Sequence, residues 1–384
     1  MSCPYPHPSP PLTVLSAAAA PDAAAMQAFY SALNKRADLQ FDEASNCWIA
    51  ANSALALAAL QHPDLGVRPP GQSVPPGLQG RPFGAVFARW LRMREDGPRE
   101  AEKRAVLLAL ESMEPALVAQ IAGRQAELAL PLGWSHWQWA SLPCTVAGLL
   151  GASISQAAEQ QALLTKLAAL AIALKPQADL AALEQGDQAI AALLTELGGA
   201  AQGPLALALQ AQARRLGLAE TSAWWQAQAL ALLWQAYEAG AGLLGLALQA
   251  ATQSPASAPL DLAGCADLLK TVGRQPGAIH HTRRWALRDC VLAGQDLRTG
   301  EALLVILVPG TDPQVEALGF GSGRHRCPGI ALTLNAGAVA LWRATQQFTS
   351  QQTPRCVGFQ ALANARIPMF DNTMFNTYPD RSHS

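Results

Sequence analysis

The stretch FGSGRHRCPG, residues 320–329, carries the residue types in this sequence that are best suited to chemistry. Three glycines, two arginines and a histidine surround a single thiol, that of Cys327. An apolar run, IALTLNAGAVALW, follows directly and is typical of a helix. Cys327 is therefore predicted to lie just before a helix N-terminus, where unpaired N–H groups and the helix dipole stabilise a thiolate.

Two interpretations of Cys327 are open at this point. An isolated cysteine is usually a small buried apolar side chain. The neighbours favour a different role, because Arg324, His325 and Arg326 add positive charge and hydrogen-bond donors, while the glycines let the backbone approach a flat ligand. A thiolate that serves as an axial ligand of haem iron needs this charge, donors to its sulfur and room for a porphyrin face. We therefore predict that Cys327 is a metal ligand.

The same stretch resembles the cysteine loop of the cytochrome P450 family, whose pattern is Phe-Gly-x-Gly-x-His-x-Cys-x-Gly. The fixed positions are all filled here, by Phe320, Gly321, Gly323, His325, Cys327 and Gly329. The resemblance implies haem b (iron protoporphyrin IX) as cofactor, with Cys327 as its proximal iron ligand. It places Phe320 near the sulfur, bonds His325 to a haem propionate, and makes Gly321 and Gly329 part of the cofactor site. Arg324 and Arg326 would face the proximal surface, where acidic ferredoxins dock in this family.

Other segments resemble this family in order and spacing, over roughly residues 83–370. The strand-like segment HTRRWALRDCVLAGQDLRTGEALLVIL places Arg284 at the position of a propionate-binding arginine. The segment MREDGPREAEKRAVLLAL resembles the C helix of the family. There Arg104 keeps a second propionate-binding arginine, while Glu100 replaces a histidine.

The long central helix departs from the family pattern. The usual Ala-Gly-x-Glu/Asp-Thr falls on residues 235–239, so that Glu238 keeps the acid and Ala239 replaces the threonine. In the family that hydroxyl organises the proton relay that cleaves dioxygen, so a non-standard oxygen activation is expected. Glu238, Ala239 and Gly240 are predicted to border the oxygen site. As an alternative, Glu238 is a helix carboxylate paired with a nearby arginine.

A second departure concerns the Glu-x-x-Arg motif of the family. Counted back from Arg284, it falls on residues 271–274, which read TVGR; the alternative, DLLK at 267–270, lies four residues too far away. Either way the glutamate is absent. Only PGTDPQVEAL stands between the last strand and Phe320, so the meander loop of the family is almost gone. These losses indicate a shortened and divergent member.

The elements that must position these residues are mostly helical. The chain has 384 residues, 50% of them apolar and 14% charged, which suits a large helical core. The patterns predict helices at about 83–127, 135–151, 154–199, 203–218, 219–251, 260–273 and 328–349, strands within 274–308, and a hairpin at 356–370. The predicted fold class is mainly α with small β-sheets, the cytochrome P450 fold. A flexible arm is expected at 1–25, followed by one haem-binding domain at 26–384.

Charge and cysteine usage limit the partners and the compartment. The net charge of −1 gives no general attraction to nucleic acid or to an anionic membrane. Seven scattered cysteines, an odd number, argue against a secreted disulfide framework and favour a reducing cytoplasm. The first 25 residues lack the pattern of a signal peptide, and no run of about 18 apolar residues predicts a membrane span.

By this resemblance the sequence predicts a cytoplasmic haem-thiolate oxidoreductase of the monooxygenase type that oxidises a small organic molecule from natural-product biosynthesis. Its electrons would come from a ferredoxin and a ferredoxin reductase. One alternative is a peroxide-dependent enzyme or a redox-neutral one, such as a dehydratase or isomerase acting at the haem. A further alternative is a non-catalytic binding protein.

Overall fold

The computed structural model describes residues 12–199, 202–218, 221–253, 260–274, 277–308, 318–348 and 353–371. Within these ranges the α-helices are α1 (Ala23–Asn34), α2 (Ser53–Gln61), α3 (Pro82–Phe87), α4 (Arg99–Glu111), α5 (Pro115–Ala129), α6 (Trp134–Leu150), α7 (Ala157–Ala173), α8 (Leu180–Gly199), α9 (Pro204–Arg215), α10 (Thr221–Gln253), α11 (Leu262–Arg274) and α12 (Ile330–Thr345). The strands are β1 (Gln40–Asp42), β2 (Cys47–Ala50), β3 (Leu65–Gly66), β4 (His281–Ala286), β5 (Cys290–Leu292), β6 (Gln295–Leu297), β7 (Ala302–Ile306), β8 (Cys356–Phe359) and β9 (Pro368–Phe370).

The longest helix, α10, runs through the middle of the main hydrophobic core. Its 33 residues span about 50 Å, and it packs against α6, α9, α11 and α12. Close packing depends on small residues: a Cβ added to Gly240 would lie 2.9 Å from the Leu142 side chain of α6. The Ala- and Gly-rich composition of this helix therefore allows its neighbours to approach.

The main sheet has the strand order β1-β2-β7-β4-β3. β2 and β7 are parallel, whereas the other neighbouring pairs are antiparallel. β7 is buried from Leu303 to Ile306, as its apolar sequence predicts, and Arg284 of β4 lies opposite Leu303. The register thus brings one long charged side chain to a largely buried strand.

The predicted fold class, mainly helical with small sheets, is confirmed. The predicted hairpin near the C-terminal end is present as the antiparallel pair β8–β9. Of the described helices, none alone is both long and apolar enough to cross a membrane, although two sharply bent pairs of helices pass the same test by length and composition only. The single domain at 26–384 and the cytoplasmic location stay predictions.

The predicted arm at residues 1–25 differs from the structure over residues 12–25. This segment contains a short 3₁₀ turn, Ala17–Ala19, and then the N-terminus of α1, capped by the Asp22 carboxylate. The side chain of Arg366 reaches it from the far end of the chain and donates to the carbonyl oxygens of Ala18 and Ala20, at 3.0 and 2.8 Å. Residues 12–20 are therefore mostly buried or half-buried, whereas residues 21–25 are exposed and residues 1–11 lie outside the described part of the chain.

A buried polar cluster surrounds this contact. Tyr30 and Nδ1 of His280 are hydrogen bonded at 2.9 Å, and Nε2 of His281 donates to the carbonyl of Ala363 at 2.9 Å. Burial, together with the charge of Arg366, lowers the pKa of His280 to about 3, and burial, partly opposed by the bond to Ala363, lowers that of His281 to about 4. Both rings are therefore neutral in the folded chain at physiological pH.

We expect Arg366→Ala to lower the free energy of unfolding by about 3 kcal/mol, because two buried carbonyl groups lose their donor. The measurement is urea unfolding followed by circular dichroism. Arg355→Ala is the matched control, since Arg355 is 77% exposed and only pairs with Asp371 at the surface. Equal effects of the two substitutions would contradict the role assigned to Arg366.

The two histidines predict how stability depends on pH. Their pKa values are lower in the folded chain than the ordinary 6.5, so their contribution is complete above pH 6.5 and is lost as the pH falls toward their folded values. For His281 alone the loss reaches about 3 kcal/mol by pH 4. Replacing His281 with Gln keeps a donor for Ala363 but removes the titration, so unfolding measured at pH 7 and pH 4.5 should differ less in the variant. An unchanged difference would count against this explanation.

Candidate functional site

A cavity of about 570 Å³ lies between α4, α10, β4 and the loop that carries Cys327. The cationic side chains that line it are Arg68, Arg92, Arg99, Lys103, Arg283, Arg284 and Arg326. No aspartate or glutamate of the described residues is part of its lining. The cavity therefore suits a ligand that carries negative charge.

The cysteine loop has the shape that its glycines predict. Gly321 and Gly323 have φ angles of +71° and +62°, which a residue with a side chain rarely adopts. The loop closes on itself through a bond from the Cys327 amide to the Phe320 carbonyl, at 2.9 Å. Gly329 then occupies the N-cap position of α12, which begins at Ile330, close to the predicted start near residue 328.

The environment of the Cys327 sulfur is less cationic than the sequence predicts. Burial raises the pKa of the thiol, while the Gly329 amide and the charges of Arg92, Lys103 and Arg326 lower it by less. Of the three basic residues next to Cys327 in sequence, Arg326 lowers the pKa of the thiol through its charge, whereas Arg324 and His325 are both paired with Glu95. The thiol of the cofactor-free chain is therefore protonated at neutral pH, and a metal ion at the sulfur would displace that proton.

The predicted role of Arg104 is not supported, because its side chain lies on the exposed face of α4. The neighbouring Lys103 lines the cavity instead, together with Arg99 one turn earlier. The helical periodicity of α4 could have predicted this exchange, which the alignment with the family motif did not. Ala105, Val106 and the other buried positions of α4 turn residue 104 outward.

Arg284 lies where the sequence predicts, in the cavity wall. Its side chain is buried, its Nε has no hydrogen-bond partner, and burial lowers its pKa to about 10. Arg92 also lacks a hydrogen bond or ion pair within the described residues, and its guanidinium lies 5.9 Å from the centre of the Trp234 ring. A buried donor left unpaired, such as Nε of Arg284, is costly unless a ligand accepts its bond.

These features fit a flat ligand that carries carboxylates and a thiol-seeking metal, as haem does. Within the described chain no group of three or more His, Cys, Asp or Glu side chains is placed to hold a metal ion. A metal at Cys327 would therefore have to bring its other ligands with it, as an iron porphyrin does. Lys103 and Arg284 are the side chains best placed to receive the carboxylates.

The structure separates the three residues predicted at the oxygen site. Ala239 and Gly240 of α10 line the cavity, whereas Glu238 does not. Burial raises the pKa of Glu238, and the charges of Lys175 and Arg92 oppose that rise. Neither cation forms an ion pair with Glu238 in the part of the chain described. Glu238 is therefore neither a residue of the cavity lining nor the carboxylate of an arginine ion pair, the two roles that the sequence suggested.

His325 lines the cavity, but both of its ring nitrogens are already engaged. Nε2 lies 2.9 Å from Oε1 of Glu95, and Nδ1 lies 3.0 Å from a guanidinium nitrogen of Arg99. His325 thus has no ring nitrogen left for the predicted bond to a propionate. Sequence reasoning missed both partners.

Comparisons with known proteins found similarity only at the level of three-dimensional structure. No protein-family model and no curated protein matches the sequence. Solved structures do match: P450BioI in complex with an acyl carrier protein ligated to hexadec-9Z-enoic acid has a TM-score of 0.70 at 14% identity, covering 90% of this chain and 97% of that one. Epothilone B-bound cytochrome P450epoK gives 0.71 at 18%, covering 89% and 94%. P450 RauA, complexed with a biosynthetic intermediate of aurachin RE, gives 0.65 at 16%, covering 92% and 98%.

The chain has the cytochrome P450 fold. The similarity to solved structures confirms the P450 fold that the cysteine loop predicted, across about 90% of the chain. The cavity therefore lies in a P450 fold, between the cysteine loop on one side and α10 on the other. The roles of its individual residues remain to be tested by substitution.

We expect Lys103→Gln to weaken haem binding about ten- to a hundredfold, because one charge-assisted bond to a propionate is lost. Arg104→Gln, a change of the next residue on the exposed face, should leave the affinity unchanged. Haem titration of the cofactor-free protein, followed by absorbance, measures both. Weaker binding by the Arg104 variant alone would restore the assignment made from the sequence.

Proposed function

We propose that this chain is a haem-thiolate oxidoreductase of the monooxygenase type, with Cys327 as the proximal ligand of iron protoporphyrin IX. The observation that carries the proposal is the cavity. One wall presents a single cysteine sulfur, and the lining is rich in cationic side chains, among them Arg284, whose buried Nε has no hydrogen-bond partner among the described residues. The similarity to solved P450 structures supports the same reading of the site.

Haem bound at this site would supply a redox-active iron that activates oxygen. The residues of the chain then have separate tasks. Cys327 would hold the metal, and Lys103 and Arg284 would bind the two propionates. On the opposite wall Ala239 and Gly240 present only a methyl group and backbone, which leaves room for oxygen and a substrate.

Glu238 is the acidic group that this proposal assigns to proton handling. Burial raises its pKa, so its carboxyl holds a proton more readily than an exposed glutamate does. It is the neighbour of Ala239 in α10 and can release that proton beside the cavity. The alcohol that accompanies the acid in the family pattern is absent here, because residue 239 is alanine.

The substrate in this proposal is a small organic molecule from a biosynthetic pathway. The support comes from the similar structures, of which one holds epothilone B and another a biosynthetic intermediate. Electrons would come from a ferredoxin and its reductase. Arg326 is exposed at the end of the cysteine loop and offers a positive charge to an acidic partner.

The test is the reduced carbon-monoxide difference spectrum of the purified protein. We expect a Soret band at the wavelength that gives the P450 family its name. Cys327→Ser should abolish that band, whereas Cys290→Ser, which changes a half-buried cysteine outside the cavity lining, should keep it. A band at the neutral-thiol position in the parent protein would contradict thiolate ligation. Failure to bind haem after supplementation would favour the non-catalytic binding protein.

A second candidate function is favoured by Ala239, which puts a methyl group where the family has a hydroxyl. A peroxide-dependent enzyme, or a redox-neutral one, needs no relay to cleave dioxygen. Turnover with hydrogen peroxide alone, compared with turnover by a ferredoxin, its reductase and reduced nicotinamide, separates the two. Under the first proposal Ala239→Thr should raise the product formed per nicotinamide oxidised; under the second it should not.

A further inference from the structure

The hydrogen bonds of His325 fix its tautomer. The guanidinium of Arg99 can only donate, so Nδ1 of the imidazole must accept the bond at 3.0 Å. The ring proton is then on Nε2 and is donated to Oε1 of Glu95 at 2.9 Å. A neutral imidazole has one donor and one acceptor, and both are used within the protein.

Glu95 is built into the structure as a buried acceptor. Its Oε1 also accepts the backbone N–H of Val67 at 2.8 Å, and its Oε2 lies 3.1 Å from the guanidinium of Arg324. Burial raises the pKa of the Glu95 carboxyl, but the bonds from His325 and Val67 and the charge of Arg324 together lower it below its ordinary value. An ionised carboxylate thus sits beside the histidine of the cysteine loop.

Arg99 fastens the same loop from the start of α4. It is 1% exposed, and its Nε donates to the Leu91 carbonyl at 3.0 Å. Its remaining guanidinium bonds go to the Arg324 carbonyl at 2.9 Å, to His325 and to Glu100. Lys103 donates to the Arg324 carbonyl as well. The backbone of residues 324–325 is therefore held by side chains of one helix.

The opposite side of the loop lacks a comparable polar contact. Phe320 packs on α11 at Gly273, where an added Cβ would lie 3.0 Å from the ring. Thr271 and Arg274, on which the Glu-x-x-Arg motif falls, are both exposed. In the described part of the chain no ion pair joins α11 to residues 318–327. Most of the polar fastening of the loop thus comes from residues 95–103; in addition, the exposed side chain of Gln61 donates to the Ser322 hydroxyl at 3.2 Å.

We propose that Glu95 and Arg99 are positioning residues that hold the cysteine loop in place, Glu95 through the side chain of His325 and Arg99 through His325 and the Arg324 carbonyl. The part of this inference that concerns haem rests on the proposed function. The part that concerns the loop does not, because every contact in it is made by the protein itself. The consequence is that the loop is ordered before any cofactor binds.

The experiment is hydrogen–deuterium exchange of the cofactor-free protein, read by mass spectrometry on peptides that cover residues 318–329. Glu95→Gln keeps the size of the side chain but removes its charge, and we expect the loop amides to exchange about tenfold faster. Asp96→Asn is the matched control, since Asp96 is exposed and pairs only with Arg94. Its loop should exchange at the parent rate.

A second variant keeps the inference testable if Glu95→Gln folds poorly. Arg99→Lys retains the charge but loses the fork that bonds both the Arg324 carbonyl and His325, and it should also free the loop. Peptides from α6 and α10 report whether an effect is local. Unchanged loop exchange in both variants overturns the proposal. Equal acceleration in the loop and in α6 and α10 also overturns it, because Glu95 and Arg99 would then be general stability residues.

The haem-loaded protein gives an independent signature. If Glu95 orients the loop, Glu95→Gln should increase the share of the carbon-monoxide complex that absorbs at the neutral-thiol position, whereas Asp96→Asn should not. A parent protein that binds no haem would remove the proposed function, yet the exchange measurement would still decide the role of Glu95 and Arg99. The two failures are therefore distinguishable.

Discussion

The structure of the site depends on how the loop that carries Cys327 is fastened to the rest of the chain. A loop with glycines at 321 and 323 loses much conformational entropy when it is ordered, so contacts elsewhere must offset that loss. The apolar contact of Phe320 with Gly273 supplies one of them, and the amide of Cys327 closes the turn. Charged groups from α4 and the segment before it supply the others.

The cationic groups around the cavity repel one another, and an anionic ligand would reduce that repulsion. The charges of Arg92 and Arg99 lower the pKa of Arg284, in addition to its burial, whereas Glu95 opposes them. Like charges that face one cavity repel each other, and Nε of Arg284 has lost water without gaining a partner among the described residues. A ligand that brings carboxylates relieves both costs, so its binding free energy also stabilises the fold.

The sequence predicted the features that depend on local pattern. The cysteine loop is contiguous, so the positions of Phe320 and Cys327 could be read directly, and helices such as α10 follow from composition and periodicity. The site residues that were missed depend on contacts between distant segments. Arg92 lies in a short 3₁₀ turn, Leu91–Met93, and Glu95 lies in the loop after it, both inside the segment predicted as one helix, so nothing local indicated that they would meet residues 284–327. The N-terminal segment was misassigned for the same reason, since its partner, Arg366, is more than 340 residues away.

The wall of the cavity that α10 forms, opposite the cysteine loop, offers few groups that can donate a proton. The polar side chains of α10 that line the cavity are amides: Gln228 donates to the Arg89 carbonyl, and Gln235 donates to the Ala231 carbonyl. An amide oxygen accepts a hydrogen bond but is not an acid, and Ala239 offers no hydroxyl. The acid of this helix, Glu238, is outside the described lining. Under the proposed function, a proton from Glu238 would reach this wall through water or through a polar group of the substrate, so the substrate would help to determine which oxygen chemistry the site completes.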